Sequence, residues 1–380
     1  MGRALRLTKA CGWLGLLLLS SFVRELFPCS TFVLRQGNRI VFGRNYDWNI
    51  GYGLVFVNQS GLRKTTLNPR PASWSWNTKY GSITFNQYGK EAPMDGMNLA
   101  GLVVAQMWLD GTRYPAADLR PALGVLTWIQ YQLDNCATVE EVIRTESSVR
   151  ISTGSTPLHF LVADRTGDAA VIEFLSERMV VYRAASLPFQ VLTNNTYDES
   201  LANLRQYAGF GGTRPIPSAY DSLSRFARIA DRIARYEAQD PTPIVDYAFA
   251  TLLSVAQTST QWMIVYDITE RKAYFRTKQS GEIKSVQADG LDFLCRTTSK
   301  LLDINIAVGG DVTTLFQPYT RAANRDLIYR AYRETDFLRD TPDSTIDALA
   351  ALPDSFLCCR PKPWMDKTRS TPPVQEWKKK

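Results

Sequence analysis

Apolar and polar residues alternate in short runs along most of the chain, a period that marks strands. STFVLRQ (residues 30–36) and RIVFGRN (39–45) are two such runs joined by Gly37-Asn38, a turn dipeptide, and together they predict a hairpin. Further strands are expected at GLVFVNQ (53–59), YGSITFNQ (80–87) and AGLVVAQMW (100–108). Two helical stretches follow, ADLRPALGVLTWIQYQLDN (117–135) and TVEEVIRTE (138–146), the second opened by a capping box of Thr138 and Glu141. Strands resume at LHFLVAD (158–164), AAVIEFL (169–175), RMVVYRA (178–184) and FQVLTN (189–194). A longer helix over 219–239 places Leu223, Phe226, Ile229, Ala230 and Ile233 on one side. WMIVYDI (262–268) and KAYFRT (272–277) flank a turn at Glu270-Arg271.

Strand blocks separated by helix pairs, with no regular βαβ alternation and no GxGxxG fingerprint, predict an α+β layered fold. Two antiparallel sheets face to face with helices outside fit that pattern. No internal repeat is visible. From Thr335 the chain turns polar and Pro-rich (DTPDS, RPKPW, STPPVQ), which predicts a weakly packed extension over 335–380, loose at its end, after a main domain over 29–334.

The first 28 residues read differently. Arg3, Arg6 and Lys9 precede a short apolar run from Trp13 to Leu19, broken by Ser20, Ser21, Arg24 and Glu25. That is the shape of a secretion signal and too short for a membrane span. A small-residue cleavage site is missing, since Leu26, Phe27 and Pro28 precede Cys29. Two steps are therefore expected, a first cut near Ser20 or Ser21 and a second that exposes Cys29, with autocatalysis and another protease both open as its agent. The mature protein would be exported, periplasmic or secreted, with no stable membrane span. A lipoprotein with a lipidated Cys29 is the competing reading, opposed by Phe27 and Pro28.

Composition adds bounds. The chain has 380 residues, 45% hydrophobic and 21% charged, ordinary for a globular protein. Its net charge of +7 is spread out, with WKKK at the end as the one run, so no nucleic-acid partner is expected. Cys29, Cys136, Cys295, Cys358 and Cys359 lack zinc-ligand spacing; disulfides among the later four are open, without a connectivity. One histidine, His159, excludes a His-rich metal site, and its alternation with apolar neighbours marks a structural strand residue. A catalytic base must then come from elsewhere. The α-amine of an N-terminal Cys29, with an ordinary pKa near 7.7–8.0, would serve.

The stretch from Cys29 to about Gln279 resembles the choloylglycine hydrolase family, N-terminal-nucleophile amidases that include bile salt hydrolases and penicillin V acylases. The matching pieces are CSTF (29–32), FGRNYDW (42–48), VLTNNTYDESLANLRQY (191–207), SLSRFAR (222–228) and STQWMIVYD (259–267). WNTKYGSI (76–83) and DGMNLAGLVVAQMWLDGTRYP (95–115) resemble its Gram-negative branch. The resemblance implies a four-layer αββα sandwich and hydrolysis of small N-acyl amides without metal or cofactor, by a homo-oligomer, tetramer or dimer. It implies Cys29 as nucleophile, Arg44 as a cation near the sulfur, Asp47 as partner of the α-amine and Asn194 as oxyanion donor. Arg225 would hold the site or a substrate carboxylate. One position departs: relatives carry asparagine or tyrosine after AGL, where Val103 stands here. That weakens bile salt cleavage more than amide hydrolysis. Trp74, Trp76, Tyr80 and Trp108, with Val103, are candidates for lining an acyl pocket; plain core is the other reading of these aromatics. An N-acyl homoserine lactone acylase, and a noncatalytic exported binding protein or lipoprotein, remain open as alternatives.

Overall fold

The computed structural model describes residues 29–67, 74–237 and 241–359. The expected signal and propeptide, residues 1–28, and the chain past 359 lie outside the described residues.

The hairpin forms as expected. β1 (Ser30–Gln36) pairs antiparallel with β2 (Arg39–Asp47) from Ser30 opposite Asn45 to Gln36 opposite Arg39. Gly37, at φ 58°, takes the left-handed backbone that the reversal needs and that glycine adopts without steric cost. The hairpin lies inside a seven-stranded sheet that runs Val191–Leu192, β1, β2, Thr260–Asp267, Lys272–Thr277, Lys284–Gln287, Gly310–Asp311. A nine-stranded sheet faces it, centred on Leu158–Ala163, Val103–Trp108, Pro93–Asn98 and Ser82–Asn86.

Side chains of both sheets fill the space between them. Phe85 of the second sheet meets Tyr266 and Phe275 of the first edge-on, with ring centroids 5.9 and 5.3 Å away. Burying each such ring stabilises the sandwich by roughly 1.5–3 kcal/mol. Helices complete the outer layers. α1 (Val125–Asn135) covers the second sheet and is followed by the short α2 (Val139–Arg144). α3 (Tyr197–Leu204) leads to α4 (Ser222–Glu237), and α4 with α5 (Ile244–Ser254) covers the first sheet. The result is the four-layer αββα sandwich of N-terminal-nucleophile hydrolases.

Most differences from the sequence reading have local causes. The helix expected from residue 117 starts only at Val125, because Pro121 withholds an N–H and Gly124 takes the extended N-cap conformation. Ala122–Leu123 instead pairs in parallel with Arg150–Ile151. The extension expected to be weakly packed from Thr335 is packed as far as residue 359, and its end, expected to be loose, lies outside the described residues: α6 (Arg321–Glu334) of the expected main domain and α7 (Asp343–Ala351) form a hairpin in which Ile328 meets Ile346 and Ala350. Leu357–Cys358 then pairs with Leu62–Thr65, and Cys358 is disulfide-bonded to Cys295. Cys29, Cys136 and Cys359 are free thiols.

Candidate active site

The hairpin register sets the centre of the site. Cys29 precedes β1 and Asp47 ends β2, so the two meet at the open end, where the Cys29 thiol points at the Asp47 carbonyl 3.9 Å away. The thiol is buried. Burial pushes its pKa up to about 11, with Arg44 and Arg225 pulling down and Asp47 pushing up. In the uncut chain the Cys29 nitrogen is an amide and offers the sulfur no base.

Asp47 is fully buried as well. Its Oδ1 accepts a hydrogen bond from the Thr260 hydroxyl, and its Oδ2 has no hydrogen-bond partner among the described residues. Burial pushes this carboxyl up to about 6, against the Thr260 hydrogen bond and the Arg225 and Arg44 charges, which pull down. Arg44 crosses between the sheets: Nε lies 2.8 Å from Asp95 Oδ2, and Nη1 donates to the Gln106 carbonyl at 2.7 Å. A buried cation held this firmly is a fixed positive charge beside the sulfur.

Arg225, in the first turn of α4, binds the pieces to one another. Nη1 donates to the Cys29 carbonyl at 2.7 Å and the Ser30 hydroxyl at 2.6 Å, Nη2 to Asn194 Oδ1 at 2.9 Å, and Nε to the Tyr220 carbonyl at 3.0 Å. Of the two roles expected for it, holding the site is the one these bonds describe; the fork is engaged by protein groups. Burial lowers its pKa to about 10. With Oδ1 committed to Arg225, the Asn194 amide presents its NH2 end, which donates to the Trp108 carbonyl at 3.0 Å. Asn194 N–H donates to Ser222 Oγ at 2.8 Å, and the following helix is capped by a box of Thr196 and Glu199. The turn that carries Asn194 is therefore tied at several points.

Two cavities adjoin these groups. One, of about 290 Å³, holds Cys29 among Tyr46, Trp48, Met94, Trp108, Leu126 and Leu158. The other, of about 790 Å³, is a more polar cleft lined by Asn194, Arg225, Asp110, Glu199 and Asp221. Trp108, on the first cavity, bonds to Asn194 on the second. Among the described residues no group of three or more His, Cys, Asp or Glu could hold a metal ion, and no helix is long and apolar enough to cross a membrane.

The structure thus assembles Cys29, Arg44, Asp47, Asn194 and Arg225, and it places Trp108 on the cavity. The other pocket candidates lie elsewhere. Val103 is fully buried between the sheets and does not line the cavity, so its apolar character bears on packing and says nothing about bile salts. Trp74, Trp76 and Tyr80 also stand off it. Trp76 sits in a small separate sheet, lies tilted against Trp74 with ring centroids 5.2 Å apart, and donates to Asp134. The true lining, Tyr46, Trp48 and Tyr88 among it, was not picked out, although Tyr46 and Trp48 lie inside the quoted FGRNYDW. His159 is structural, as expected, and well placed: Nε2 lies 2.7 Å from the Thr193 carbonyl and Nδ1 3.1 Å from Glu173, which also accepts from Tyr197 N–H. It braces the residue before Asn194.

Comparison with known proteins gives the family. The family described as linear amide C–N hydrolases, choloylglycine hydrolase family, matches residues 29–300. The chain is 31% identical over 157 residues to a penicillin V acylase of Pectobacterium atrosepticum; this spans 37% of the chain and 40% of that protein's length. It is 23% identical over 319 residues to a bile salt hydrolase/transferase of Clostridium perfringens, spanning 70% of the chain and 95% of that protein. Among solved structures, a penicillin V acylase from Agrobacterium tumefaciens superposes with a TM-score of 0.68 at 27% identity, covering 77% of this chain and 98% of that one. A conjugated bile acid hydrolase variant from Clostridium perfringens shares the fold at a TM-score of 0.62 and 20% identity, over 77% of this chain and 97% of that one.

Proposed function

The chain belongs to the choloylglycine hydrolase family of linear amide C–N hydrolases, and from that premise we propose that Cys29 is an N-terminal nucleophile that cleaves small N-acyl amides. The observation that carries this is the buried Asp47 Oδ2 beside Cys29, which has no hydrogen-bond partner among the described residues. A newly freed α-ammonium on Cys29 would give that oxygen a donor and a counter-charge.

The chemistry follows from the groups present. The α-amine takes the thiol proton, and the thiolate, favoured by Arg44 and Arg225, attacks the amide carbon. Asn194 Nδ2 and a backbone N–H stabilise the oxyanion. The ammonium returns its proton to the leaving amine, and water, activated by the amine, hydrolyses the thioester. Arg225 holds the Cys29 carbonyl and Asn194 in one frame throughout. The apolar cavity receives the acyl group and the polar cleft the amine.

Removal of residues 1–28 and export complete the reading; the Cys295–Cys358 disulfide suits an oxidising compartment. The acidic side chains of Asp110, Glu199 and Asp221 on the cleft favour an uncharged or cationic amine over an anionic one such as taurine. That observation gives weight to a second reading, an N-acyl homoserine lactone acylase, whose leaving group is neutral. The maturation step is tested directly. A chain made with residues 22–28 attached should lose them on standing, and Cys29→Ala should keep them. Equal processing of the alanine variant would assign the cut to another protease.

A further inference from the structure

The family match ends at residue 300, and the Agrobacterium acylase aligns over 98% of its own length while 77% of this chain is covered. Part of the segment past residue 300 stands on the Cys29 cavity. Tyr332 at the end of α6, Phe337 and Leu338 in the connector, and Leu349 in α7 line the same cavity as the sulfur.

This hairpin is fixed to the amidase core. Asn324 Oδ1 accepts from the Lys90 N–H at 2.9 Å, and Ile328 packs so closely on Gly89 that a Cβ there would come within 2.7 Å of it. The Tyr88 and Thr335 hydroxyls lie 3.0 Å apart, with the Tyr88 and Tyr332 rings edge-on at 6.2 Å. The Cys295–Cys358 disulfide holds the far end. Phe337 is nonetheless 58% exposed at the cavity, and Leu338 is half-buried. Apolar groups left wet at a cavity are stabilised when an apolar ligand covers them.

We propose that the α6–α7 hairpin is the outer wall of the acyl cavity, and that Phe337 and Leu338 select the acyl group, admitting an aryl or linear chain and turning away a fused-ring steroid. The assignment of an acyl group to this cavity rests on the amidase reading. An apolar cavity of about 150 Å³ takes one benzene-sized guest. One of about 290 Å³ has room for about two such units or a chain of equal bulk, and a bulkier four-ring nucleus would have to extend into the adjoining cleft of about 540 Å³, which shares Tyr88, Gly124 and Leu349 with it.

The test compares kcat/KM for phenoxyacetyl, decanoyl and cholyl amides of one amine in the processed enzyme and in Phe337→Ala, Leu338→Ala and Phe337→Leu. Phe337→Ala should lower the decanoyl value and raise the cholyl-to-decanoyl ratio by about tenfold or more, with Phe337→Leu between it and the parent. An unchanged ratio in all three variants would overturn the assignment while leaving the amidase reading intact. Decanoate binding, followed by tryptophan fluorescence, supplies a readout independent of turnover. If no amide is cleaved but decanoate binds and Phe337→Ala weakens it about tenfold, the amidase reading fails and the wall stands. If decanoate binding is the same in parent and variants, the wall is refuted.

Discussion

In the proposed mechanism Asn194 and Asp47 both serve Cys29 but answer to different partners, and substitution should separate them. Asn194 is held by Arg225 through Oδ1, and in the proposed mechanism its amide N–H donates to an oxyanion that exists only during reaction. Asn194→Ala should therefore lower kcat by roughly 10² to 10³ with little change in KM, and the thiol should still react with iodoacetamide. Asp47→Asn should slow that labelling, because the α-amine loses the carboxylate that orients it. Equal slowing by both variants would refute this division. The carboxyl also reports on the cut. In the uncut chain its pKa is raised to about 6, so its stabilising share is full below about pH 4 and lost as pH rises through 6. In a chain kept uncut by Cys29→Ala, Asp47→Asn should thus be more stabilising at pH 7.5 than at pH 4, by about 2–3 kcal/mol in denaturant titrations. In the processed enzyme the ammonium reverses the sign at neutral pH. The same sign in both forms would mean that the amine does not reach Asp47.

The β1–β2 hairpin and α4 were legible because their apolar periods are clean and a turn dipeptide or an apolar stripe marks them. α5 was not, since its residues are apolar on nearly every side and leave no stripe to read. The C-terminal hairpin was misread for another reason. Its connector is rich in Asp, Thr and Pro, and its anchoring comes from Cys295, 63 residues away from Cys358, which no local pattern reveals. A cross-link over that distance removes roughly 4 kcal/mol of unfolded-chain entropy in the loop-closure treatment. Replacing both cysteines by serine should therefore lower the calorimetric Tm by several degrees, and reductant should do the same to the parent and nothing to the variant. A parent Tm indifferent to reductant would show that the pair contributes no such constraint.

At the scale of the whole molecule, the fold brings together the candidates that the family resemblance implied, and the substrate cavity was not legible in the sequence. Cys29, Arg44, Asp47, Asn194 and Arg225 fall in a few short motifs that the resemblance to the family picks out. The cavity wall is gathered from the β2 end, the strand that ends at Trp108, the start of α1 and the α6–α7 hairpin, so its members share no spacing. Aromatic residues close together in sequence, Trp74, Trp76 and Tyr80, went to a different part of the fold. The sandwich brings these distant segments to one end, where the thiol, raised to about 11 by burial, has no amine to serve as its base in amide turnover as long as its nitrogen is an amide. The central claim is that cutting before Cys29 turns this buried thiol into the group that takes the acyl chain. It is tested most directly by peptide mapping of protein quenched with acid during turnover of a phenoxyacetyl amide. The expected result is a peptide that begins at Cys29, sequence CSTF, and carries the phenoxyacetyl mass on its sulfur. Full activity in protein whose Cys29 is still joined to Pro28, or an acyl group found on another residue, would contradict it.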